Sequence, residues 1–472
     1  MSLSRMSIVG ILLCIISIQL YAQKLTYTLE EAITAALKNN RDVIISEMNV
    51  RKSEAAVDEA FGYALPSLDI TANLAHMIEK PKTAFPDFEA LLTNATYNIL
   101  FDENVLPRDD DKFKSMATKL QSFAQTNSFE TKAQVTQILF NSAVFRGIGA
   151  SQIYLDLAKV QYEAAKTNTI LNVKKAFYGV LLSKELLNII KCSLINAEEN
   201  LKNINALYEQ GLTSDFDALQ AEVQVENIRP SVRELENTYL NALNGLKILL
   251  SVNLSDSIEV IGSFEYKDEE LPLIEDASLL ALKNNLDINS LRIKKNVDEE
   301  FINIERADYW PTIAAFGNYS YAGSSDDWNF QTYNSSMVGV TFSLNLFKGG
   351  RAANRIEQAN IATMQTQEQI SLTEDFITSQ VTVKILDLKK VKSQIKALNR
   401  NVELAQKAYN ISTTRYKEGT GTQLEIKNAD VELRSAKTNL IKSVHDYIIA
   451  EAELDQLLGR VDSKYKNEIT EE

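Results

Sequence analysis

The chain has 472 residues, a formal charge of -14, and only 7 prolines and 16 glycines. The acidic balance argues against a nucleic-acid partner, because neutralising phosphates takes a basic surface. So few turn-forming residues mean long, uninterrupted elements.

The first residues read as a secretory signal. Arg5 supplies the positive end, Ile8 to Leu20 the apolar run, and Leu20-Tyr21-Ala22 a small residue before the cut. Residues 1–22 are expected to leave, making Gln23 the mature N-terminus. The run is short for a transmembrane anchor, which takes roughly 20 apolar residues. Cys14 allows a lipoprotein signal in principle, although apolar residues continue past it. Cys192 is then the one mature cysteine, so no intramolecular disulfide is expected. With His76 and His445 it falls short of a four-ligand zinc site. No other stretch is long and apolar enough for a membrane helix, so a membrane crossing requires strands.

The chain then repeats itself. LEEAITAALKNN at 29–40 matches IEDASLLALKNN at 274–285, an offset of 245 that also carries Asp42 onto Asp287 and Pro66 onto Pro311. Later the offset is 208: Tyr208-Glu209-Gln210-Gly211 matches Tyr416-Lys417-Glu418-Gly419, and Leu249-Leu250 matches Leu457-Leu458. The difference places an insertion at about residues 79–128. This segment is rich in Asp, Asn and Pro, and Asp109-Asp110-Asp111 adds to its loop character.

Four segments alternate with period two: 66–78, 129–140, 311–322 and 335–347. Leu68, Ile70, Ala72 and Leu74 share one face of the first. Phe129, Ala133, Val135 and Leu139 share a face of the second, and Ile313, Ala315, Tyr319 and Tyr321 of the third. Val338, Val340, Phe342, Leu344 and Leu346 share a face of the fourth. Each is long enough for a tilted membrane strand of about 9–11 residues. The alternation alone also fits a soluble sheet. Four strands cannot close a barrel, so the membrane reading requires several copies. Tyr309, Trp310 and Phe347 lie at the strand ends nearest the helices, where an aromatic girdle would sit or where ordinary core aromatics would serve.

After the second strand of each copy, apolar residues follow a seven-residue period. Val173, Val180, Leu187, Leu194, Leu201 and Tyr208 correspond to Val381, Leu388, Ile395, Val402, Tyr409 and Tyr416. The return segments keep the frame: Val225, Val232, Tyr239 and Leu246 correspond to Leu433, Leu440, Tyr447 and Leu454. Such a repeat means coiled-coil packing over roughly 100 Å. Its narrow seam and polar flanks suit helices in a hollow cylinder. Pro230 is expected to bend one return helix.

In order, the pieces are signal, helix, strand, loop, strand and long helical hairpin, then the same again. The chain resembles the TolC-like outer-membrane efflux protein family over nearly its whole mature length. The hairpin tips (208–217 and 415–425) and the strand-to-helix corner Asn345-Leu-Phe-Lys-Gly-Gly-Arg351 carry the most specific likeness. The resemblance implies a mainly α chain with membrane β-strands. It implies a homotrimer, with a twelve-stranded barrel in outer-membrane lipid and a periplasmic helical barrel. The expected domains are a first repeat at 23–250, an equatorial linker at 251–272, a second repeat at 273–460 and a polar tail at 461–472. The implied partners are a periplasmic adaptor (membrane fusion) protein and an inner-membrane RND, ABC or MFS pump.

The family's docking pattern at the tips falls on Gly211, Leu212 and Ser214, and on Gly419, Thr420 and Thr422. The glycines also serve simply as left-handed turn residues. The family's entrance uses an acidic ring and an Asp–Arg–Tyr latch. Glu425 and Asn428 take the ring positions, Asp217 and Tyr416 two latch positions, and Gly421 stands where the arginine would be. Exposed acids on a helix are also ordinary solvated surface. No catalytic constellation, phosphate-cradling loop or cofactor motif is legible, so transport is expected to be passive. A periplasmic coiled-coil adaptor is the alternative, but it would need one helical hairpin in a β-domain rather than two. A secreted enzyme with a helical insert is a further alternative.

Overall fold

The computed structural model describes residues 25–266 and 268–460. The expected signal at 1–22 and polar tail at 461–472 lie outside the described residues. In chain order, β1 (Leu25–Tyr27), α1 (Leu29–Asn39) and α2 (Arg41–Gly62) lead into β2 (Ser67–His76). An excursion follows, made of β3 (Thr83–Pro86), α3 (Phe88–Asp102) and β4 (Thr118–Gln121). Then come β5 (Asn127–Phe140), α4 (Ser142–Glu209), α5 (Asp215–Leu250) and β6 (Ile258–Val260). The chain continues with α6 (Ile274–Asn284), α7 (Leu286–Arg306), β7 (Thr312–Ser325), β8 (Gln331–Ser343), α8 (Arg351–Lys417) and α9 (Gln423–Leu457). These form two compact units. One comprises Asp58–Ile148 and Asn303–Ile356; the other comprises the chain up to Val57, Gly149–Ile302 and the chain from Glu357.

The first unit is built on one antiparallel sheet of order β2-β5-β7-β8. Pro66 and Pro311 immediately precede β2 and β7, where a missing N–H costs the ladder nothing. Three strands fall where the alternation places them. The fourth is shifted: β8 runs from Gln331 to Ser343, so Leu344, Leu346 and Phe347 belong to the corner that follows it. Gly349 and Gly350, both at positive φ, turn the chain there, and Lys348 ties the corner to Asp308 at 2.8 Å.

The excursion after β2 corrects a second expectation. It is a folded module with its own small core rather than a bare loop. Asp87 caps α3 through the Glu89 and Ala90 amides and pairs with Lys119 at the head of β4. Asn94 exchanges two hydrogen bonds with the Lys114 backbone, at 2.8 and 2.7 Å. Phe85, Phe88 and Phe123 meet with centroids 5.0 to 6.3 Å apart. The neck is fixed too. The Met77 N–H donates to the Thr126 carbonyl at 2.8 Å, and His76 bonds Asn127 at 2.7 Å while stacking on Trp328. Asp326, in the β7–β8 turn, accepts from Lys80 and from both the N–H and hydroxyl of Thr126.

The second unit is helical apart from a short parallel pair, β1 with β6. Thr28 and Glu31 form a capping box that starts α1. Asn40 ends α1 and does two further jobs. Its Oδ1 accepts from the Asp42 N–H at 2.9 Å, opening α2, and its Nδ2 donates to the Leu249 carbonyl at 2.9 Å. Asn285 repeats this arrangement: its Oδ1 takes the Asp287 N–H at 3.0 Å and its Nδ2 donates to the Leu457 carbonyl at 3.3 Å. One core joins Ala32, Ala36, Val173, Phe177, Val180, Leu246 and Leu250 with Ile258 and Val260. Another joins Ala277, Ala281, Val381, Ile385, Leu388, Tyr447, Leu454 and Leu458. The segment read as a linker thus supplies core residues through β6. The heptad seam is tightest at Val173, Val180, Val381 and Leu388, while Tyr208 near the first tip is exposed. α5 continues through Pro230.

Two predictions follow from this packing. Leu388→Ala should destabilise the protein by about 2–5 kcal/mol through lost contacts and a residual cavity, whereas exposed Lys390→Ala should stay within about 0.5 kcal/mol. Thermal unfolding followed by circular dichroism distinguishes the two. The second concerns the neck. Lys80, then the Thr126 hydroxyl and N–H, pull the Asp326 carboxyl down to about 2. Its folded-state value lies below the ordinary one, so its ties persist above about pH 4 and are lost as pH falls through about 2. In a Trp310→Phe background, Trp328 emission should hold from about pH 5 to about pH 4 and change toward pH 2. Asp326→Asn should already differ at neutral pH and lack that step.

Candidate functional site

The strand register sorts the sheet into two chemically different faces. Residues paired across strands share a face. One face carries the rows Leu68–Val135–Gly317–Val338 and Ile70–Ala133–Tyr319–Ser336, with Leu74–Phe129 and Ile313–Phe342 beyond them. The other carries Asp69–Gln134–Asn318–Met337, Thr71–Lys132–Ser320–Ser335 and Asn73–Glu130–Ala322–Tyr333. On the first face Ile70 is 71% and Val338 86% exposed, so this apolar band is not covered by the chain itself. The 14 residues of β5 and of β7, tilted by about 45°, span about 30 Å, the thickness of a bilayer's hydrocarbon. Among the described residues, β2 and β8 each have a strand partner on one side only.

The corners at the helix-bearing ends of the strands carry a cluster of ion pairs and exposed aromatic side chains. Asp308 receives Lys348 and Arg355, and Arg355 also reaches Glu305 at 2.8 Å. Lys348 first, with Arg355 and Arg351, holds the Asp308 carboxyl below its ordinary range despite the cost of partial burial. Tyr309, Trp310 and Phe347 project from this frame into solvent.

In the helical unit the two hairpin tips are built alike. Gly211 and Gly419 sit at φ 71° and 73°. Each ends its helix with the same pair of bonds: Gly211 N–H to the Tyr208 carbonyl and Leu212 N–H to the Leu207 carbonyl, then Gly419 to Tyr416 and Thr420 to Arg415. Ser214 and Thr422 then cap α5 and α9 through the Asp217 and Glu425 amides. The Asp217 carboxylate accepts from Thr213 and Ser214 at 3.0 and 2.8 Å. Glu425 completes a capping box and lies 3.7 Å from Arg415. Asn428 is exposed one turn further along α9. The structure therefore brings Glu425 to Arg415, and keeps Asp217 within its own turn.

Arg415 was not singled out by the sequence, yet its guanidinium also donates to the Thr420 carbonyl at 3.1 Å. Gly421 has a steric reason to be glycine: a Cβ there would stand 3.0 Å from the Tyr416 nitrogen and 3.1 Å from Glu425. Two exposed pairs were missed as well. Phe216 and Val223 on α5, and Leu424 and Val431 on α9, each lie seven residues apart and open to solvent, as is Leu212. The 208 offset relates the two pairs, which is the signal that could have found them.

Between the hairpins is a cleft of about 490 Å³ lined by Asn196, Asn200, Asn203, Gln224, Tyr409 and Tyr416, among others. Two polar ties cross from α4 to α9, seven residues apart on each helix. The Ser193 hydroxyl donates to buried Asp430 at 2.7 Å, and Asn200 and Gln423 exchange amide bonds at 2.9 and 3.4 Å. Burial, and then the Asp430 charge, push the Tyr409 phenol up. Further along, Glu453 bridges Lys175 of α4 and Lys384 of α8, each at 2.5 Å. Burial opposes its charge, but the two lysines outweigh that and hold its carboxyl below the ordinary range.

Comparison with known proteins agrees with this geometry. The sequence matches the family described as outer membrane efflux protein over residues 32–251 and 278–460. It is 22% identical to the outer membrane protein TolC of Vibrio cholerae over 307 residues, 64% of this chain and 70% of that one. It is 21% identical to the alkaline protease secretion protein AprF of Pseudomonas aeruginosa over 349 residues, 71% and 70% of the two chains. The fold matches the crystal structure of the Campylobacter jejuni CmeC outer membrane channel with a TM-score of 0.72 at 18% identity, covering 93% and 88% of the chains. It matches the open-state Neisseria gonorrhoeae MtrE outer membrane channel with a TM-score of 0.69 at 15% identity, covering 91% and 88%. The chain belongs to the outer membrane efflux protein family and serves as an exit duct of the outer membrane.

Proposed function

We propose that three copies of this chain close into one passive duct, with a twelve-stranded barrel in the outer membrane. The observation that carries this is the four-stranded sheet with one apolar face and two unpaired edges. Two copies would give eight strands, whose interior side chains fill. Three give the smallest closed assembly with room for a lumen, lined by the polar face. Within each copy, residues 23–250 and 273–460 are duplicated staves joined through 251–272. The matched asparagines support this: Asn40 and Asn285 differ by 245, and their acceptors Leu249 and Leu457 by 208. Core positions keep the same offsets, as with Ala36 and Ala281, or Val180 and Leu388.

The duct works with a periplasmic adaptor and an inner-membrane pump of the RND, ABC or MFS class, which supplies the energy. Gly211, Leu212, Ser214, Gly419, Thr420 and Thr422 form the docking tips. The apolar pairs Phe216–Val223 and Leu424–Val431 extend that surface along the return helices. Asp217, Tyr416, Glu425 and Asn428 constrict the entrance. Arg415 takes the role of the latch arginine, at whose position Gly421 stands. The Asp217 and Arg415 ties each brace one tip turn, so removing either loosens the turn that carries the constriction. Asp217→Ala and Arg415→Ala should therefore raise single-channel conductance in a planar bilayer. Unchanged conductance in both variants would contradict the latch, and a protein that never conducts would contradict the duct.

A further inference from the structure

The module of residues 77–126 leaves the sheet at the strand ends opposite those that join the helices. Its neck is fixed by Asp326, Lys80, Thr126 and the His76–Trp328 stack. Its body nevertheless exposes large apolar side chains: Leu92 65%, Ile99 64%, Leu120 69% and Phe123 63%. Leu92 and Ile99 lie seven residues apart on α3, so they share a face of that helix. A module this small and this well tethered gains nothing from such a surface unless something covers it.

Its root identifies the cover. The module grows directly from β2, an edge strand with no second neighbour among the described residues. In the closed barrel, the strand beside β2 belongs to the next copy. The module therefore emerges between β2 and β5, beside the seam between copies, with Lys80 and Thr126 tied to Asp326 at its neck. We propose that its apolar surface packs against the neighbouring copy of this chain. Three modules would then form an extracellular collar that continues the barrel seams beyond the membrane. This rests on the trimeric barrel reading given above.

Site-specific incorporation of the photo-cross-linker p-benzoylphenylalanine tests it in the full-length protein. It would be placed at Leu92, Ile99 or Leu120, with exposed polar Asp110 as the control site. Irradiation of outer membranes should give a product of twice the chain mass from the three apolar sites and not from Asp110. Mass spectrometry should place both ends of the link in this chain. Native mass measurement of the same preparations supplies the second readout. A three-copy mass with cross-links only to lipid or to another protein, or with none, overturns the collar and leaves the barrel standing. A one-copy mass overturns both.

Discussion

An unpaired strand edge in hydrocarbon leaves its N–H and C=O groups without partners, at several kcal/mol for each group. β2 and β8 both have such an edge, and the face between them carries most of the sheet's large apolar side chains. Single copies therefore have no stable place in the bilayer. Completing the edges with other copies leaves the polar face, with Lys132, Glu130, Asn318 and Thr71, turned toward water. In the proposed closed barrel, the same alternation that makes the outer wall would also make the lumen.

The helical wall solves a different problem, that of keeping long hairpins in register without a filled centre. Asn40 and Asn285 do this at one end by stapling a short helix to the last carbonyls of a return helix. Further along, Glu453 links α4 to α8, and the Ser193–Asp430 and Asn200–Gln423 ties link α4 to α9. Apolar seams tolerate sliding, whereas paired polar groups each fix one register, because a slip would leave them buried and unsatisfied. Toward the tips the seam loosens, with Tyr208 exposed and a cleft between the hairpins. The Ser193–Asp430 and Asn200–Gln423 ties border this cleft, so they are the contacts that a moving entrance would have to break.

The regular parts of this design were legible because they obey simple periods. Strand alternation, the prolines before β2 and β7, the heptads and the tip glycines each follow from local physics. β8 was misplaced because Thr332 to Ser336 carry little alternation, while Leu344 and Leu346 continue it past the true end of the strand. The module has the sequence character of a loop because of its Asp run and Pro81, Pro86 and Pro107. Its small core depends on Phe113 returning to buried Phe101 of α3, a contact no local pattern reveals. Arg415 was hidden for a related reason. It reaches Glu425 across the tip turn, so its role comes from the fold of the turn and not from the position it holds in the chain.

The central claim is that the β2 edge of one copy pairs with the β8 edge of the next. Cysteine pairs test it directly: Ile70→Cys combined in turn with Asn334→Cys, Ser336→Cys, Val338→Cys or Val340→Cys, in a Cys192→Ser background. Oxidation in outer membranes should link copies through at least one of these pairings and give a covalent ladder that stops at three. Links confined within single chains, no links at all, or a ladder that runs past three would contradict the account.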